Sequence, residues 1–190
     1  MSTRSIIART GGEFRDTFVG RYVHSDGYAS GVGATLYQLY NGFFEKNLEH
    51  MLKILLDDHP AGWSNINGCD WGMEPGWYDV DRANGQTWEQ FYESPAWRRP
   101  KCYCHGERHE EANEFTSEME STWCEWAYAI NEKTHKMYVH KCTGTIQVKG
   151  EERDKWTLVE EVDMDGPKPD WGKMDTFGYE EEKTEEENQS

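Results

Sequence analysis

Cys124-Glu125-Trp126-Ala127-Tyr128-Ala129-Ile130-Asn131-Glu132-Lys133-Thr134-His135-Lys136-Met137-Tyr138-Val139-His140-Lys141-Cys142 is the stretch that decides the fold. Cys124, Trp126, Tyr128 and Ile130 alternate with Glu125, Ala127 and Ala129, which is the two-residue period of a strand with distinct faces. Residues 131–134 turn the chain, and 136–142 return with Met137 and Val139 on one face. The spacing predicts an antiparallel hairpin. Downstream, residues 145–149 and 156–162 read as two more strands, connected by Gly150 and the charged run 151–154.

Upstream, residues 5–9 and 19–24 are β-prone runs flanking Gly11-Gly12, a turn dipeptide. The residues between them predict a loose hairpin. Helical spacing follows at Val32, Leu36, Leu39, Tyr40 and Phe43, with Asn41-Gly42 bending or ending that helix. Leu48, Met51, Leu52, Leu55 and Leu56 fit one face of a second helix, which Pro60 stops. Residues 61–100 hold Trp63, Trp71, Trp77, Trp88 and Trp97 among Gly, Asn, Asp and Pro, with no lasting period. They read as a long loop pinned by rings, with a short helix at 87–92. The acidic stretch 107–120 is a solvated helix or a linker. Together these predict an α+β fold: an antiparallel sheet packed on one or two helices from 32–57, plus the Trp-rich loop. One domain is expected over 1–166, then an acidic, largely disordered tail over 167–190.

Composition bounds the chemistry. Ile, Leu, Val and Phe supply only 28 of 190 residues, so the nine Trp and ten Tyr must build much of the core. The net charge is −16, and residues 150–190 hold 15 acidic against 5 basic side chains. Direct nucleic-acid binding needs clustered Lys and Arg and is not expected. Neither a membrane span nor a signal peptide is expected, because no apolar run approaches ~20 residues. Five Cys is an odd number for a disulfide framework and points to reduced thiols in a cytoplasm.

Cys102-Tyr103-Cys104-His105, followed by His109, is the strongest chemical signal. Cys102 and Cys104 point the same way on an extended segment. His105 or His109 then continues a tetrahedral zinc shell, with Cys124 or Cys142 arriving from the hairpin. C-x-C is less specific than C-x₂-C, and reduced cysteines in a packed loop are the plain alternative. His135, His140 and Cys142 form a weaker set, in which an exposed turn histidine and an ordinary strand residue suffice. The segment His24, Asp26, Tyr28, Gly31 and Gly33 precedes a helix and invites a ligand-binding reading, since amides at a helix start bind anions. No full phosphate motif or lysine accompanies it, and a turn that needs glycine is the favoured explanation. His24 and Asp26 form a candidate acid/base pair, against the favoured reading of a hydrogen bond that fixes the turn. No convincing nucleophile accompanies them, although Ser2 would become an N-terminal one after methionine removal. Trp63, Trp71 and Trp77 are candidate partner-binding residues, against an ordinary role in core packing.

Several of these segments together resemble a family of small bacteriophage and prophage proteins of the actinobacteriophage type. The resemblance is carried by Thr3-Arg4-Ser5-Ile6-Ile7-Ala8, His24-Ser25-Asp26-Gly27-Tyr28, Cys102-Tyr103-Cys104-His105-Gly106 and Cys124-Glu125-Trp126-Ala127-Tyr128. It covers most of residues 3–142. Members more commonly have Trp at the position of Ser25 and Pro at that of Ala29. The resemblance implies expression in the cytoplasm of an infected bacterium and no catalytic residue. The expected function is a non-enzymatic accessory protein that binds a host protein, which includes blocking a defence system. The alternatives are an acidic DNA mimic, a ligand- or nucleotide-binding protein or enzyme using residues 27–33, and a virion component.

Overall fold

The computed structural model describes residues 2–12, 14–77, 85–106, 108–121 and 123–178. The predicted hairpin is present as β6 (Cys124–Asn131) and β7 (Lys136–Val148), antiparallel from Trp126↔Lys141 to Asn131↔Lys136. The α+β class is as the sequence predicts, and the strands form one sheet in the order β4-β3-β2-β1-β6-β7-β8, with β5 on β2. Its remaining members are β1 (Arg4–Gly11), β2 (Phe14–Val23), β3 (Trp63–Asn65), β4 (Lys101–Cys102), β5 (Phe115–Thr116) and β8 (Glu151–Asp163).

The sheet is mixed rather than purely antiparallel. β1 runs parallel to β6, and β2 parallel to β3. β6 is therefore central and buried on both faces, which is why its small Ala127 and Ala129 alternate with large rings. Where β1 meets β6 the register skips from Arg4↔Cys124 to Ser5↔Trp126, which moves Cys124 off the face that Trp126 and Tyr128 share.

One face of the sheet carries the main core. Ile7, Val23, Trp126, Tyr128, Ile130, Met137, Val139 and Val162 pack there against the helices. A π-helical turn (Ala29–Gly33) runs into α1 (Ala34–Asn41), and α2 (Leu48–Leu52) runs into a second π-helical turn (Lys53–Asp57). α2 starts at Asn47, whose side chain accepts the His50 amide. On the opposite face, Ile6, Ala8, Phe18, Cys124, Ala127, Ala129 and Tyr138 form a smaller cluster. Phe18 of β2 meets Trp156 of β8 there, with ring centroids 5.6 Å apart. These strands are not neighbours in the sheet, so the sheet curls, helped by bulges between Val139/His140 and Cys142/Thr145.

Several expectations shift. β1 and β2 extend toward each other until only residues 12 and 13 separate them, a tight connection rather than a loose one. Residues 151–154 are strand, and the β7–β8 turn is Lys149-Gly150, both with positive φ. The stretch 107–120 is no helix where described, and contributes only β5. The short helix is α3 (Trp88–Glu93), opened by a capping box between Thr87 and Gln90. The domain also runs past residue 166. α4 (Trp171–Asp175), capped by Asp170, buries Trp171 and Met174 in the main core. Gly33 makes room for that helix, since a Cβ there would sit 2.9 Å from the Tyr128 ring and 3.1 Å from Trp171. The disorder expected at 180–190 falls outside the described residues.

Candidate metal centre

The centre is built by strand register. Pro60 ends the second helical segment one residue after His59, and Gly62 then turns the chain into β3 with φ +81. Only glycine fits there, because a Cβ would approach the Tyr22 carbonyl oxygen to 2.5 Å. β3 pairs with β4 through Trp63↔Cys102, and the Tyr103 amide donates to the Gly62 carbonyl at 3.1 Å. That pairing lays Cys102-Tyr103-Cys104-His105 beside His59, which stacks 4.5 Å from Trp63. Trp63 is held in turn by its indole N–H donating to the Leu55 carbonyl at 2.9 Å.

His59, Cys102, Cys104 and His105 bring their four ligand atoms within 4.8 Å of one another. His59 Nδ1 lies 3.1 Å from His105 Nδ1 and 3.4 Å from Cys104 Sγ. His105 Nδ1 lies 3.4 Å from Cys102 Sγ and 3.3 Å from Cys104 Sγ. Zinc bonds of about 2.3 Å to sulfur and about 2.0–2.1 Å to nitrogen give tetrahedral edges of about 3.5 Å (S–N) and about 3.3 Å (N–N). These four edges agree to a few tenths of an ångström and the other two are within 4.8 Å, so the cluster can hold a metal ion. His59 and Cys102 are buried, Cys104 is half-buried and His105 is exposed.

The thiols are already polarised for this. Cys104 is pulled down to about 4, first by its hydrogen bond with Cys102 and further by His59, while desolvation opposes. Cys102 is pushed up by the same hydrogen bond and by burial. The pair thus shares one proton, and a cation that binds both sulfurs displaces it.

Three of the expected metal residues, Cys102, Cys104 and His105, therefore meet, and two do not. His109 is exposed, outside the cluster, in a left-handed backbone conformation. Cys124 is buried in the cluster on the opposite face, its Sγ 3.9 Å from the Ser5 carbonyl oxygen, because the register skip turns it away. Cys142 makes its contact with the Gly144 carbonyl. His59 was missed because no local spacing marks it, and it joins the others only through β3–β4 pairing.

The other candidates are placed as follows. His24 bonds through Nδ1 to the Tyr22 hydroxyl at 2.9 Å, not to Asp26, and desolvation lowers its pKa. Asp26 is exposed with φ 51, and Tyr28 is 38% exposed. The amide of Ser30 in the first helical turn already meets a carboxylate, Asp175 of α4, at 3.2 Å. Gly31 and Gly33 are explained by packing, a Cβ on Gly31 lying 2.1 Å from the Asp26 carbonyl oxygen. Ser2 donates to the His24 carbonyl at 2.9 Å. Trp63 and Trp71 are buried core rings, which corrects their assignment to a partner surface. Trp77 is half-buried, stacked on Tyr103 with the Arg108 guanidinium 4.5 Å from each ring. His140 is a strand residue of β7, buried, and His135 sits at the turn between Tyr40 and Asp165.

No helix of the described residues is long and apolar enough to cross a membrane. Compared with protein-family models, with curated proteins and with solved structures, the chain finds no match, so its chemistry is read from its own geometry.

Proposed function

We propose that His59, Cys102, Cys104 and His105 hold one structural zinc ion, and that the domain it braces is a non-enzymatic binding module. The observation that carries the first part is the match between the four-atom cluster and a zinc tetrahedron. Four protein ligands fill the shell and leave no position for a reacting water, which favours a structural over a catalytic role. The ion would tie the end of the second helical segment to β4, at the root of the Trp-rich segment.

The binding role is supported by aromatic surface on that segment. Trp88 and Tyr92 are each 52% exposed and stacked 5.8 Å apart on α3, with Trp97 edge-on at 4.7 Å. Exposed Trp and Tyr on a braced scaffold suit a protein partner. The resemblance to actinobacteriophage proteins makes a host protein the partner we propose. Affinity purification of the tagged, zinc-loaded chain from an actinobacterial lysate tests this. One near-stoichiometric host protein, lost in the Trp88→Ala/Tyr92→Ala variant, is expected. A bait that elutes alone contradicts the binding role.

A further inference from the structure

Among the described residues, β8 is the last strand of the sheet, and one side of it has no strand neighbour. Beside it lies a cavity of about 690 Å³ between residues 159–163 and the segment 167–178. Val159, Glu160, Glu161, Val162 and Asp163 all line it. Successive strand side chains point to opposite faces, so five consecutive residues share one cavity only where it opens along the strand edge. Two hydrogen bonds show which amides face outward. The Asp154 amide donates to the Met119 carbonyl at 3.2 Å, away from β7, so residues 154, 156 and 158 share that edge. The bulge opposite Val139/His140 then shifts the alternation, and the Glu161 amide turns to the neighbouring Glu160 Oε1 at 3.3 Å.

The cavity is apolar at its base, where Val162 and Met174 are buried and Val159 and Phe177 are half-buried. Its rim is acidic. Glu160, Glu161, Asp163 and Asp170 outnumber Lys168 and Lys173, although Glu161 is already ion-paired with Lys136, in a chain whose net charge is −16. Backbone groups along an edge, apolar pockets beneath and a negative rim are the elements of strand addition.

We propose that this groove receives an extended peptide segment of a partner protein, with basic and apolar residues alternating, which adds as a strand to β8 at residues 159–163. The proposal rests on the binding-module reading and gives that partner a chemistry. Lysines of the segment meet the acidic rim while the apolar side chains between them enter the groove over Val162 and Met174.

The test uses the full zinc-loaded chain and a blocked hexapeptide of alternating lysine and valine, followed by amide NMR. Three comparison peptides are used: one N-methylated at alternate residues, one with glutamate for lysine, and one with serine for valine. The expected result is saturable binding with shifts and slowed exchange at Glu161 and Asp163. Affinity falls at least tenfold for each comparison peptide, and at least threefold for Glu160→Lys. Equal binding of the N-methylated peptide, or shifts that leave residues 156–163 unmoved, overturns the proposal. The hexapeptide reads the groove whether or not a host protein is captured, so failure here and failure of the binding module are separate results.

Discussion

His59 is buried against Trp63 and supplies one of four atoms that could ligate a metal ion, while His109, closer in sequence to the cysteines, is exposed and outside that cluster. His59→Ala should therefore weaken zinc binding about 100-fold or more, measured by competition with a chromophoric chelator, because one ligand's share of a ~10–16 kcal/mol interaction is lost. His109→Ala should leave the affinity unchanged. A second residue-scale consequence concerns His140, which is 1% exposed and faces Asp16 through its Nε2. Desolvation lowers its pKa, with Asp16 3.6 Å from Nε2 opposing and Arg15 assisting. The unfolded chain then takes up the proton first. The stability from neutral His140 is complete above about 6.5 and is lost as pH falls through the lower folded value. The urea midpoint of His140→Leu should fall less between pH 7.5 and 5 than that of the parent chain. An equal fall would assign the pH dependence to other groups.

At the scale of elements, α4 is the part most at odds with its composition. Trp171 and Met174 are each 5% exposed and both in the main core, Trp171 beside Gly33 and Tyr37. Trp171→Ala should cost about 3–5 kcal/mol in denaturant unfolding. Gly33→Ala should cost about 1–3 kcal/mol, since the added methyl meets the Tyr128 ring. A chain cut after Pro167 would lose this helix, so such a truncation reads core stability as well as acidity. The sequence made the β6–β7 hairpin and both helical segments legible because strict periods of two and 3.6 occur there with turn residues between. The parallel β1–β6 pairing was not legible, because its partners are more than a hundred residues apart and no local signal encodes a parallel neighbour. α4 was hidden by the acidic residues around it, although Asp170 is an N-cap type and Trp171 and Met174 have helical spacing. Of the metal centre, Cys102, Cys104 and His105 were legible from proximity. Cys124 misled because its apparent alternation with Trp126 is broken by the register skip at Arg4/Ser5.

For the whole molecule, the candidate metal centre lies where the helical layer, β3–β4 and the Trp-rich segment meet, outside the β6–β8 strands. Loss of zinc should loosen the first three and leave the β6–β7 hairpin paired, which hydrogen exchange with and without chelator would resolve. A zinc concentration 100-fold above its dissociation constant stabilises the fold by ~2.7 kcal/mol, or about 5–11 °C in Tm for a chain of this size. The direct measurement is the metal content of the purified full chain and of its His59→Ala and His109→Ala variants, by elemental mass spectrometry after extensive dialysis. One zinc per chain is expected in the parent and in His109→Ala, and less than about one tenth in His59→Ala. Parent protein without zinc, unable to take it up when supplied, or a His59→Ala variant that retains it, would contradict a zinc site built from these four residues.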